Sequence, residues 1–218
     1  MTIRLTLLCA PPADTVFRDA PPSERALRGA GAAVASLPAH APAMRSPSSG
    51  SALTAAALGL KAAVEPALRD LDCGTWRGRT VADIAAADPY GYSAWLTDPD
   101  AAPHGGETVR ELCRRIAHWL SALPPDTGRA LAIAEPAVVR ALLVHAWSAP
   151  VRAFRTLRVP PLYTVSLTWR DGVWGARPAD TSCARGLGRP PALPLTALTA
   201  PRRTVSDRGP YLCGERAA

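Results

Sequence analysis

Two short runs dominate the hydrophobic pattern of the chain. One is Arg4–Ala10, where Leu5, Leu7 and Leu8 follow one another almost without a polar break, and the other is Arg129–Ala134, RALAIA. A run that is apolar at successive positions predicts a strand covered on both faces, as in the middle of a parallel sheet. Arg4–Ala10 is therefore placed near the centre of the sheet, with Arg129–Ala134 beside it and parallel to it. Other stretches carry helical rhythm or helix-start chemistry. ETVRELCRRIAHWLSAL spaces Val109, Leu112, Ile116, Trp119 and Leu120 as a long amphipathic helix does, and Pro124 and Pro125 stop it. Pro136–Trp147 opens with proline in its first turn, and Ser46–Leu60 opens on proline and serine. Pro22–Leu37 reads as a weaker helix that Ser23 can cap, because glycines interrupt it. Thr80–Ala87 and Tyr90–Leu96 are expected as short helices, and Pro42–Ser46 and Ala63–Leu71 as short strands. Leu162–Trp169 and Val173–Arg177 should form a hairpin about Asp171 and Gly172.

Beyond about Ala179 the periodicity gives way to Pro, Arg, Gly and Ser. The chain is accordingly divided into an α/β domain over residues 1–179 and a Pro/Arg-rich tail over 180–218, expected to be poorly ordered. A length of 218 residues is enough for one well-buried α/β domain. The formal charge of +7 is carried by arginine, since Lys61 is the only lysine. Those arginines are scattered and the aromatics are not interleaved with them, which argues against a nucleic-acid groove. The five cysteines form no CxxC pair and no zinc spacing, so neither a disulfide framework nor structural zinc is expected. No stretch approaches the ~20 apolar residues of a membrane span. The expectation is a cytoplasmic protein without nucleic-acid or membrane partners, its oligomeric state left open.

Three segments carry a family likeness. LRDLDCGTWRG (Leu68–Gly78), HGGETVRELCRR (His104–Arg115) and AIAEPAVVRALL (Ala132–Leu143), in that order and followed by the hairpin, resemble the histidine phosphatase superfamily, the phosphoglycerate-mutase-like proteins. The corresponding family patterns are L-x-E-x-D-F-G-x-W-E-G, P-x-G-E-S and V-T-H-G-G-V-I-R-A-L-L, and the likeness runs roughly from Thr2 to Arg177. It implies a three-layer α/β/α fold on a mostly parallel sheet, with the site beyond the carboxyl ends of the strands. It also implies a reaction in which the histidine of an Arg-His-Gly after the first strand attacks phosphorus. Here the matching residues are Cys9, Ala10 and Pro11. A second family arginine falls on Gly50, the acid after the third strand on Asp70, and the second histidine on Glu135.

These replacements reverse the electrostatics. Two arginines and two histidines against one carboxylate welcome a phosphoryl dianion. A phosphate ~5 Å from a carboxylate, at an effective dielectric of about 20, meets roughly 3 kcal/mol of repulsion per charge pair. The family reaction is thus the least favoured function. The candidate ligand pocket comprises Cys9, Asp70, Glu107, Glu135 and His104, and should be net negative and prefer a cation or a small molecule bearing one. Cys9, Asp70 and Glu135 are the candidate ligands of a divalent metal, with zinc, cobalt or copper suited better than magnesium. Two alternatives remain open: an inert pseudoenzyme serving as an interaction module, and an enzyme of new chemistry with Cys9 as nucleophile or Glu135 as acid-base. Among the neighbours, Asp72 is expected to organise the turn at Gly74, with Cys73 and Trp76 as packing residues. His104 is expected at the surface by the pocket mouth, and Glu107 either at the positive end of its helix or in the pocket. Arg77, where the family has glutamate, has no explanation in the sequence.

Overall fold

The computed structural model describes residues 2–11, Glu24 and 42–178. Its strands are β1 (Ile3–Cys9), β2 (Ala43–Arg45), β3 (Ala63–Val64), β4 (Arg129–Ala134), β5 (Thr164–Arg170) and β6 (Val173–Pro178). Its helices are α1 (Ser49–Ala57), α2 (Val81–Ala87), α3 (Pro89–Thr97), α4 (Val109–Ala122) and α5 (Pro136–Ala146). The strands form one mixed sheet in the order β3-β2-β4-β1-β5-β6. β1 lies inside it, parallel to β4 and antiparallel to β5, and β2 is parallel to β4 and β3.

The side-chain alternation of a strand explains why both faces of β1 and β4 had to be apolar. Ile3, Leu5, Leu7 and Cys9, with Ala130, Ala132 and Ala134, face a core built with Leu112 and Ile116 of α4 and Val138 and Leu142 of α5. Leu8, Leu131 and Ile133 point the other way, onto Ala55 of α1 and Leu58 just after it. Helices thus cover both faces, which is the three-layer arrangement expected. α4 starts where its sequence says it should. Thr108 accepts from Glu111 N while the Glu111 carboxylate accepts from Thr108 N, a reciprocal cap that satisfies two otherwise orphaned donors.

One expected strand is corrected in shape. Of Ala63–Leu71, only Ala63 and Val64 pair with β2, because Pro66 has no N–H for a ladder and opens a 3-10 turn over Pro66–Leu68. The hairpin forms where it is expected, with Asp171 and Gly172 at φ of 52° and 82°, the two positive values that a tight two-residue turn needs. The helix expected over Pro22–Leu37, apart from Glu24, and the tail over 180–218 lie outside the described residues. No helix among the described residues is long and apolar enough to cross a membrane.

The two loops that carry the family-like motifs are locked together. Thr75 N donates to His104 O (2.9 Å) and Glu107 N to Asp72 O (2.8 Å). The chains cross so closely that a Cβ on Gly74, whose φ is +44°, would lie 2.1 Å from His104 O, and one on Gly106 would lie 2.1 Å from Asp72 O. Beneath the crossing, Trp76, Ile84 and Trp95 form a separate small core against which Tyr92 and Cys73 pack.

Candidate functional site

Register brings the ends of three strands to one level. Cys9 of β1 sits opposite Ala134 of β4, and Arg45 of β2 opposite Ile133, so Cys9, Glu135 and Ser46 emerge side by side. Asp70 arrives from the next strand outward, two residues after the 3-10 turn that follows β3.

Glu135 is the best-defined group of the site. It is the residue before α5, yet its side chain does not cap that helix. It turns instead toward the β2–α1 junction, where three hydroxyls donate to its Oε1: Ser46 at 3.0 Å, Ser51 at 3.0 Å, and Ser48. Ser46 and Ser51 are completely buried, and Ser48 caps α1 by accepting from Ser51 N at 3.0 Å. The carboxylate is therefore fixed by three short side chains at the positive end of a helix. Its Oε2 is buried and has no hydrogen-bond partner among the described residues. In the sequence SPSSGS reads only as a helix start; its recurring serines at a strand-to-helix junction are the available signal for a polar cradle.

The charges around Glu135 act on one another. Burial, and then the charge of Glu135, push the Asp70 carboxyl up to about 7, against the opposing pull of the Leu71 N–H, Arg115 and Arg140. Asp70 nevertheless keeps an exposed surface, so water reaches it on one side. The Cys9 thiol is pushed up to about 12, first by burial and then by Glu135, with Arg140 opposing and Asp70 adding to the rise. Arg140 of α5 thus sits among these groups, and Arg155, in the 3-10 segment Val151–Arg155, is close enough to Arg140 to feel its charge. The sequence offers Arg140 only as an unfavoured replacement for a lost arginine clamp, and gives Arg155 no place. Arg140 lies five positions after Glu135, and the pocket is less acidic than its five aligned positions suggest.

Three of the expected site residues have other employment. Cys9 is fully buried on the face of β1 that builds the larger core, and burial pushes its thiol up to about 12, away from the ready thiolate of a reactive cysteine. Glu107 is held by the Arg115 fork at 2.8 and 2.7 Å, with Arg69 further out at 3.5 Å, so its charge is neutralised before any ligand arrives. His104 is not at the surface. It is 1% exposed, its ring edge-on to Trp76 with centroids 5.1 Å apart, and its Nδ1 accepts from Gly106 N at 3.0 Å. Among the described residues no group of three His, Cys, Asp or Glu is arranged to hold a metal ion, so Cys9, Asp70 and Glu135 do not make the metal site expected of them.

The neighbouring expectations fare better. The Asp72 carboxylate accepts from Gly74 N at 3.0 Å, organising that turn. It also meets Arg77 at 2.7 Å, which supplies the account of Arg77 that the sequence lacks. Trp76 is buried among Tyr92, Trp95 and His104.

Comparison with known proteins adds an independent line. A profile of the histidine phosphatase superfamily (branch 1) matches residues 21–178. A bifunctional protein of Mycobacterium tuberculosis is 41% identical over 66 residues, which are 30% of this chain and 18% of that protein. Glucosyl-3-phosphoglycerate phosphatase of the same organism is 30% identical over 143 residues, covering 54% of this chain and 64% of the relative. The chain thus spans less than two thirds of the length of either relative. Among solved structures, the α-ribazole phosphatase of Shigella flexneri superposes with a TM-score of 0.73 at 19% identity, over 82% of this chain and 96% of that one. The mycobacterial glucosyl-3-phosphoglycerate phosphatase superposes at 0.68 and 23%, over 82% and 97%. At these identities the superpositions establish the fold.

Proposed function

The chain belongs to the histidine phosphatase superfamily, and from that premise we propose that it does not run the phosphohistidine reaction but uses the pocket at the strand ends to bind a small ligand bearing a cationic or N–H donor group. The observation that carries this reading is the fixing of Glu135. A carboxylate gripped by three serine hydroxyls occupies the place that the resemblance gives to a histidine, at the helix end where a phosphoryl group would need its donors. The place of the nucleophile holds a buried thiol, an alanine and a proline, none of which can carry a phosphoryl group as an imidazole does. Glu135 and Asp70 are anionic or proton-sharing groups that a cation would relieve.

The names of the similar proteins supply the competing reading, a phosphatase. It is tested by incubating the purified protein with p-nitrophenyl phosphate and with glucosyl-3-phosphoglycerate, and by looking for an acid-labile phosphohistidine after quenching. No turnover and no phosphoenzyme are expected. Phosphate release that disappears in the Glu135→Ala and Asp70→Asn proteins would show that these carboxylates serve a reaction and would overturn the proposal.

A further inference from the structure

Two half-buried arginines are hydrogen-bonded to backbone carbonyls only, and Arg140 feels the charge of Asp70 without touching it. Arg140 donates from Nε to Leu157 O at 3.0 Å, and Arg155 donates to Trp95 O at 2.6 Å while lying 3.9 Å over the Trp95 ring. Their guanidinium carbons lie 5.7 and 5.9 Å from the centroid of one ring, that of Phe154. Among the described residues neither forms an ion pair, whereas Arg69, Arg77, Arg110, Arg114 and Arg115 each do. Cations taken partly out of water are normally paired, and these two also repel each other. Each has N–H groups left over after its single bond to a carbonyl, in the planar fork that suits a carboxylate.

At the other end of the cleft stands the complementary imbalance in hydrogen bonding. Glu135 Oε1 takes three hydroxyl donors while the buried Oε2 takes none among the described residues. An acceptor left unmet inside a protein calls for a donor. The groups adjoin one another in turn: Cys9 feels the charges of Glu135, Arg140 and Asp70, and Arg140 shares the Phe154 ring with Arg155, which also lies on Trp95.

We propose that the pocket takes a small zwitterion, with its ammonium group at Glu135 Oε2 and Asp70 and its carboxylate between Arg140 and Arg155. The inference rests on the ligand-pocket reading above and sharpens it, since a simple amine would satisfy only half of the cleft. Binding so divided explains how acid and arginine coexist there without pairing directly.

The test is thermal unfolding with the ω-amino acids from glycine to ε-aminocaproate, against butyrate and butylamine, at one ionic strength set with sodium chloride. At least one ω-amino acid should raise Tm by more than butyrate and butylamine do together. In Arg140→Gln/Arg155→Gln that excess and the butyrate response should vanish while the butylamine response stays. In Glu135→Gln the excess and the butylamine response should vanish while the butyrate response stays. Arg140→Lys/Arg155→Lys, which keeps the charge but loses the fork, should show a reduced excess and guards against a loss of folding in the glutamine variant. If butylamine stabilises the protein but no ω-amino acid exceeds the sum, the zwitterion is wrong and the cation pocket stands. If no compound raises Tm, both readings fall. An ω-amino acid response unchanged in the arginine variants also overturns the proposal.

Discussion

The crossing of the two motif loops and the pocket at the strand ends lie in one fold but obey different rules. At the crossing, the sequence keeps the glycines, the tryptophan and the Asp72 of the family pattern, and each serves packing or the backbone. Gly74 and Gly106 let two chains touch, and Trp76 fills the small core. At the strand ends, every position that would carry chemistry differs from that pattern, yet the strands and their register persist. A motif can thus be kept because a backbone cannot pass without it, whatever groups stand at the strand ends. Likeness in the loops is evidence for the fold; only the strand ends speak to the reaction.

The sharpest way to break this contrast is to add one methyl group at the crossing. In Gly106→Ala or Gly74→Ala the new Cβ meets a backbone oxygen at 2.1 Å, and a backbone atom cannot swing aside as a side-chain end can. Each substitution should destabilise by about 3 kcal/mol or more, lowering Tm by about 10 °C for a domain of this size. At the strand ends, Glu135→Ala should cost only about 1–2 kcal/mol. The three serines left behind stand 3.0–3.1 Å from one another through Ser46 and can bond among themselves. The same change removes the second-largest cause of the high Asp70 pKa. An NMR titration of the Asp70 carboxyl should move down from about 7. A larger loss at Glu135 than at Gly106 would reverse the assignment of structural and ligand-binding regions.

How legible the two regions were in the sequence follows the same division. The central place of β1, the parallel β4 and the hairpin could be read because hydrophobic alternation and turn chemistry are local. Asp72 at its turn was local too. His104 was misplaced because its burial depends on Trp76 and Trp95, which reach it only through the folded crossing. Glu107 was left between two roles because its partner Arg115 lies eight residues on, two turns along α4, and also binds the carbonyl of Arg69. The serine cradle and Arg155 escape a reading of the sequence, and Arg140 enters it only as an unfavoured clamp, because the likeness directs attention to the positions it aligns and these residues stand beside them. Cys9 was given chemistry on position, but the face on which its strand buries it decides its state.

A subtler separation comes from pH. The ordinary aspartate value of 3.8 applies to Asp70 in the unfolded chain, and about 7 in the fold. Between these values the folded state holds the extra proton, so the stability that Asp70 contributes is complete below about 3.8 and is lost as pH rises through about 7. Asp70→Asn cannot ionise and should be the more stable protein at about pH 8, with the difference fading toward about pH 4. A shift of this size would carry about 4 kcal/mol in a closed site, but water on the open side of Asp70 screens it to about 1 kcal/mol. Burial depresses His104 and His145, whose effects run the other way, so the difference between the two proteins is the quantity to follow. A difference that grows on acidification would contradict the placement of Asp70 beside Glu135.

The smallest effect tests whether charge matters at the crossing at all. Arg77 and Asp72 meet at 2.7 Å, but their side chains are 68% and 46% exposed, and an ion pair so open to water is screened and must restrain two mobile side chains. Arg77→Ala should change stability by about 0.5 kcal/mol or less, and added salt should erase even that. Asp72→Ala should cost more, about 1 kcal/mol, because it also strips the acceptor from Gly74 N at the point where the backbone turns through positive φ. The Asp72 carboxyl is held below its usual range by that N–H first and by Arg77 second. Its contribution is therefore present above the ordinary aspartate value and is lost as pH falls through the depressed one. If the two alanine variants were equally destabilised and equally salt-sensitive, the ion pair would be what fastens the loops, and the glycines would merely permit the crossing.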